Sequence, residues 1–236
     1  MLREQGQYAA AETLYRRAVA GYTEKLGATH QFTLTSTNGL SAALMHQKGK
    51  PKQDEAARLY RRVLAAQEAT LGTDHEDTLV TAGNLAMLLG DQGEHAEALP
   101  LERRVLAGRE ARLGAEHPDT LVAVGNLAVT LAKLRRFDEA EPLYRRALAG
   151  TEARHGPAHP RTVTAVWNLA LFLKDKRGRY AEAAPLFRRA ADGAAANPDD
   201  ADCRGILRQV QFSIADCERR VKEAEQASAG GGGSTK

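Results

Sequence analysis

The chain has 236 residues, 43% hydrophobic and 27% charged, and its 33 basic and 30 acidic side chains leave a net charge of +3. So even a balance does not by itself argue for a nucleic-acid binder, and no apolar run reaches the ~18–20 residues of a membrane span. Aromatics are only 5%, so Leu, Ala and Val must do most of the packing; the N-terminus, MLREQGQYAAAE, has no apolar signal core, and a cytoplasmic setting is the default.

Residues 1–6 read as the tail of a helix, and Leu2 to Tyr8 as the link to the next one. A second helix follows through Tyr15, Arg16-Arg17 and Leu26-Gly27. The chain is therefore expected to begin inside a repeat. Its open first helix should self-associate or bind a missing partner helix.

From His30 onward the sequence repeats. His30, His75, His117 and His159 recur at steps of 45, 42 and 42. Arg pairs at 16–17, 61–62, 103–104, 145–146 and 188–189 recur at 45, 42, 42 and 43. Leu-Gly at 26–27, 71–72 and 113–114, with His155-Gly156, is a third landmark. One period shared by independent landmarks predicts a solenoid of stacked units.

The unit from His117 to Gly156 is the clearest. Pro118 suits the first position of a helix, and Asp119 suits its positive end. Leu121, Val124, Leu127, Ala128 and Leu131 form one apolar stripe. A second helix is expected from Phe137, with Asp138 as its cap and Leu143, Tyr144, Ala147 and Leu148 on its inner face. The short link makes the two antiparallel. The hairpin from His30 has a turn about three residues longer than the others, and Gly39 stands where later units have Asn84, Asn126 and Asn168.

This unit resembles the tetratricopeptide repeat in the 42-residue form of kinesin light chains. The resemblance rests on Asn126-Leu127-Ala128, on Phe137, Ala140, Tyr144 and Ala147, and on the link Leu113-Gly114 with His117-Pro118-Asp119. It implies an all-α, right-handed superhelical solenoid of antiparallel helix hairpins over residues 1–195. Beyond it, Asn197-Pro198 signals a helix start. Ile206, Val210, Ile214, Cys217 and Val221 make the stripe of a C-terminal capping helix over 196–227, which covers the open end of the array. Residues 228–236, with their GGGGS string, read as a flexible tail, either artificially added or a natural low-complexity one.

No nucleotide, cofactor or catalytic motif is present. Cys203 and Cys217, about 21 Å apart on one helix, are packing residues and not a disulfide. The recurring histidines sit on different hairpins, too far apart to share a metal ion, and read as turn and helix-start residues. The Arg pairs lie on outward-facing second helices. They form either a solvated face with pairs such as Glu12–Arg16 and Glu141–Arg145, the simpler reading, or a site for acidic partners.

In the resembling family the first helices line a concave groove that binds a protein or peptide segment. Carried onto this sequence, the groove positions are Asn38, Ala42 and His46; Gly83, Met87 and Asp91; Gly125, Val129 and Lys133; and Trp167, Leu171 and Lys174. Trp167 is either a groove anchor or a packing residue. Asn84, Asn126 and Asn168 are read first as inter-helix hydrogen-bonding groups and second as ligand contacts. The family commonly carries an Asn-Asn pair, whose first member is here Gly83, Gly125 or Trp167. A non-enzymatic interaction module is expected, with a structural spacer as the alternative.

Overall fold

The computed structural model describes residues 7–47 and 49–230. The readings for residues 1–6, for Lys48 in the long turn and for 231–236 lie outside the described residues. Among the described residues every regular element is an α-helix. The helices fall into two compact units, Met1–Arg112 and Leu113–Lys236.

The N-terminal unit holds α1 (Tyr8–Leu26), α2 (Gln31–Met45), α3 (Lys50–Leu71), α4 (Glu76–Asp91) and α5 (His95–Leu113). The C-terminal unit holds α6 (Pro118–Lys133), α7 (Phe137–His155), α8 (Pro160–Arg177), α9 (Tyr180–Ala195) and α10 (Ala201–Gly230). Within each unit helices pack against their sequence neighbours. In both, α2, α4, α6 and α8 are first helices of hairpins, and α3, α5, α7 and α9 are their second helices. α1 has the sequence of a second helix.

The landmarks of the repeat have physical counterparts. His30, His75, His117 and His159 are the N-caps of the first helices, and each accepts a hydrogen bond on Nδ1 from the amide two residues on, at 3.2 Å. The ring itself satisfies one of the amides that a helix start leaves unpaired. Gly114 and Gly156 end their helices at φ +89° and +82°, a region costly for residues with a Cβ. Asp138 does not cap α7. Arg136 holds that place without a side-chain bond to the free amides of the helix start, and Asp138 lies in the first turn, where its charge still suits the helix dipole.

The core is a run of small and branched side chains between helices. Leu121, Val124, Leu127, Ala128 and Leu131 are all buried on α6, as the stripe predicts. Gly39 of α2 has a specific cause. The Tyr15 ring of α1 lies on it, and a Cβ there would be 2.4 Å from Tyr15 Cε1. An Asn at this position would displace the ring.

α10 packs on α9 and α8. Its buried stripe is Cys203, Ile206, Val210, Ser213 and Cys217. Ile214 and Val221, expected in that stripe, are only half-buried, because the helix presents Ser213 at the contact instead. Both cysteines are free thiols.

Candidate partner-binding surface

On α6 the residues Val122, Asn126, Val129 and Lys133 are exposed, at spacings of 4, 3 and 4. That spacing keeps them on one helix face. The same register on α4 carries Val80, Asn84, Met87 and Asp91, and on α8 Thr164, Asn168, Leu171 and Asp175, with each of these exposed or half-buried. A surface strip thus recurs unit by unit: a branched residue, an Asn, an apolar residue, a charge.

In the C-terminal unit this strip borders a cleft of about 310 Å³ between α6 and α8. Val122, Asn126 and Val129 form one wall and Thr164 and Asn168 the other, with Tyr144 and Ala147 of α7 among the lining residues. Tyr144 is buried, which pushes its hydroxyl well above the usual range, so it stays a neutral phenol. Neither the Asn126 nor the Asn168 side chain makes a hydrogen bond among the described residues. The inter-helix bonds expected of Asn84, Asn126 and Asn168 are not formed, and the last two amides stand at the cleft.

Arg161, His155, Asp200 and Asp202 also line the cleft. The His155 ring stacks on His159 at 4.4 Å. Its Nε2 is buried without a hydrogen-bond partner. Burial first, then the charges of His159, Arg161 and Arg154, lower its pKa and favour a neutral ring. Asp200 accepts from the Cys203 amide at 2.9 Å, and that bond foremost holds its carboxyl below the usual range.

Other sequence-derived positions are placed differently. Trp167 is 9% exposed and meets Phe187 edge-on at 5.2 Å, so of its two readings it takes the packing one. Lys174 turns to α10, 3.7 Å from Asp216, and its ammonium lies 6.0 Å from the Phe187 ring. Asn38 donates to Thr81 at 2.6 Å, which donates to Gln67 at 2.6 Å, so Asn38 ties α2 to α4. His46 stacks on Tyr8 at 4.9 Å. Ala42 is buried. Val80, Val122 and Thr164 were missed, although their place four residues before each Asn slot marks them as sharing its face.

The Arg pairs are laced into ion pairs. Glu12–Arg16 and Glu141–Arg145 form at 2.9 Å each. Arg16 also reaches Glu55 of α3 at 2.9 Å, Arg61 reaches Glu97 of α5 at 2.9 Å, and Arg145 reaches Glu182 of α9 at 3.5 Å. Arg188 meets Glu218 of α10. These guanidinium groups are spoken for within the chain, which weakens a role in binding acidic partners. No cluster that could hold a metal ion occurs among the described residues. None of the described helices is long and apolar enough to cross a membrane.

Known proteins share this arrangement. One tetratricopeptide repeat model matches residues 119–196, and a second matches 1–31, 33–77 and 78–119. A kinesin light chain-like protein of Podosopora anserina with nearly identical repeats is 25% identical, with 84% of this chain and 92% of that one covered and a TM-score of 0.71. BtubC from P. vanneervenii superposes with a TM-score of 0.71 at 20% identity, over 84% of this chain and 78% of that one, which is a likeness of fold. No curated protein sequence matches. With both repeat models spanning its hairpins, the chain belongs to the tetratricopeptide repeat family, in its kinesin light chain-like form.

Proposed function

We propose that the chain is a non-enzymatic interaction module whose first helices bind an extended segment of a partner protein. The observation that carries this reading is the recurring exposed strip, with the unpaired amides of Asn126 and Asn168 on opposite walls of the cleft. An Asn side chain both donates and accepts, which suits a peptide bond. Val122 and Val129 beside it are 45% and 36% exposed and offer apolar contact to side chains of the segment. Backbone bonds supply register and apolar contacts supply affinity, as in other modes of peptide recognition.

A second reading, a structural spacer, draws support from the Arg–Glu ladder that links successive second helices. Selection from a random peptide display library separates the two. The groove reading expects enriched peptides that the wild type binds and that a Val122→Glu, Val129→Glu variant with unchanged helicity does not. No enrichment, or enrichment indifferent to both substitutions, favours the spacer. Trp167→Ala is a poor probe, since it removes a buried ring at a cost of about 3–5 kcal/mol.

A further inference from the structure

Two consecutive hairpins of the C-terminal unit differ at one packing position. On α8, Trp167 directly precedes Asn168, and on α9, Phe187 directly precedes Arg188-Arg189. Their rings meet edge-on, with centroids 5.2 Å and planes 67° apart, and Phe187 is fully buried. In the hairpin before, the same places hold Gly125, directly before Asn126, and Tyr144, directly before Arg145-Arg146. α7 thus keeps the aromatic ring, while α6 brings no side chain to it at this register.

The cleft lies at that position. Gly125 and Tyr144 both line it, and a Cβ on Gly125 would meet nothing within 4 Å. The N-terminal unit does not repeat the arrangement. On α4 a Cβ at Gly83 would already touch Val105 of α5 at 3.9 Å, and Glu102 stands in place of the ring. An apolar cavity of about 150 Å³ holds benzene. At about 310 Å³ this cleft has room for an indole. Leu121, Val122 and Ala147 supply apolar lining, and the Asn126 and Asn168 amides can accept an N–H.

We infer that the cleft takes one aromatic side chain of the partner segment, a tryptophan above all, in the place that Trp167 fills one hairpin later. The inference rests on the groove reading and names the residue for which the groove selects. The chain's own Trp167–Phe187 pair is its template. An aromatic ring gains from edge-to-face contact with Tyr144, and an indole adds a polar N–H for the Asn amides, neither of which an aliphatic side chain offers. Such an anchor seated in a pocket typically carries much of an interface's affinity.

The test selects two peptide display libraries on the full chain. One has Trp at a fixed central position and the other Ala, with no further aromatic residue in either. Enrichment is expected from the Trp library alone. Changing that Trp to Ala in an enriched peptide should weaken binding roughly tenfold or more, read by fluorescence anisotropy. Gly125→Trp should fill the cleft from within and abolish binding with circular dichroism unchanged, whereas Gly125→Ala should retain it. Should the Trp variant unfold, Gly125→Leu asks the same question with a smaller side chain. Equal enrichment from both libraries, or affinity indifferent to Gly125→Trp and Gly125→Leu, overturns the inference. If those peptides are still lost on Val122→Glu, Val129→Glu, the groove reading stands without it. Enrichment from neither library overturns both. So does a wild-type dimer in sedimentation that both Gly125→Trp and Phe212→Ala dissolve, because Phe212, 76% exposed, of a second copy would then hold the cleft.

Discussion

Glu12 shows how one side chain can tie three helices. It is nearly buried, and desolvation alone would raise its pKa. Bonds from Lys52 of α3, from Gln47 after α2 and from Arg16 of its own helix outweigh that and hold it at about 2, against an ordinary 4.5. A carboxyl depressed on folding stabilises the native state above pH 4.5, and that contribution is lost as pH falls toward 2. Glu12→Gln is expected to cost about 1–2 kcal/mol at neutral pH. It should also flatten the fall in stability over that acid range, as urea titrations at several pH values would show. Lys52 is partly exposed and can rehydrate, so the loss should stay modest.

Among elements, the same residue type has opposite roles according to what faces it. Gly150 of α7 meets Leu121, whereas Gly125 of α6 has nothing within 4 Å of a Cβ. Gly150→Ala should destabilise by about 1–3 kcal/mol through overpacking. Gly125→Ala should stabilise by up to ~1 kcal/mol through helix propensity. Thermal melts of the two variants should move in opposite directions. Neither sign can be read from the sequence, since both glycines sit inside apolar helical patterns. What the sequence did disclose was periodic. The histidine, arginine and Leu-Gly landmarks located each hairpin, because N-caps, inter-helix ion pairs and helix ends recur with the unit. It disclosed less wherever a neighbour decides the outcome. Trp167 turns to Phe187, Lys174 to Asp216, and Ser213 takes the place expected for Ile214. The strip residues Val80 and Val122 were hidden by their apolar character, which suits a core as well as a binding face.

For the molecule as a whole, stability should approximate a sum of local interfaces and not one central core. The chain carries its own probes of this. Trp167, the sole tryptophan, sits between α8 and α9, while the free thiols of Cys203 and Cys217 belong to the buried face of α10. Burial first, aided by Asp200, lifts the Cys203 thiol to about 11, and burial likewise raises Cys217, so both resist thiol reagents in the native state. α10 packs on α9 and α8 at the end of its unit, so it should open before they do. Thiol labelling is expected at a lower urea concentration than the shift in Trp167 fluorescence. Coincident transitions would mean that α10 is cooperative with the rest of its unit.

The histidine caps make repeats that are otherwise alike individually observable. A ring that accepts on Nδ1 must carry its proton on Nε2. Each first helix is therefore coupled to the tautomer of one imidazole, and nitrogen chemical shifts distinguish tautomers cleanly. Four rings placed at four helix starts amount to a built-in set of spectroscopic labels, one per hairpin. The order in which those starts fray could be followed ring by ring without altering a residue.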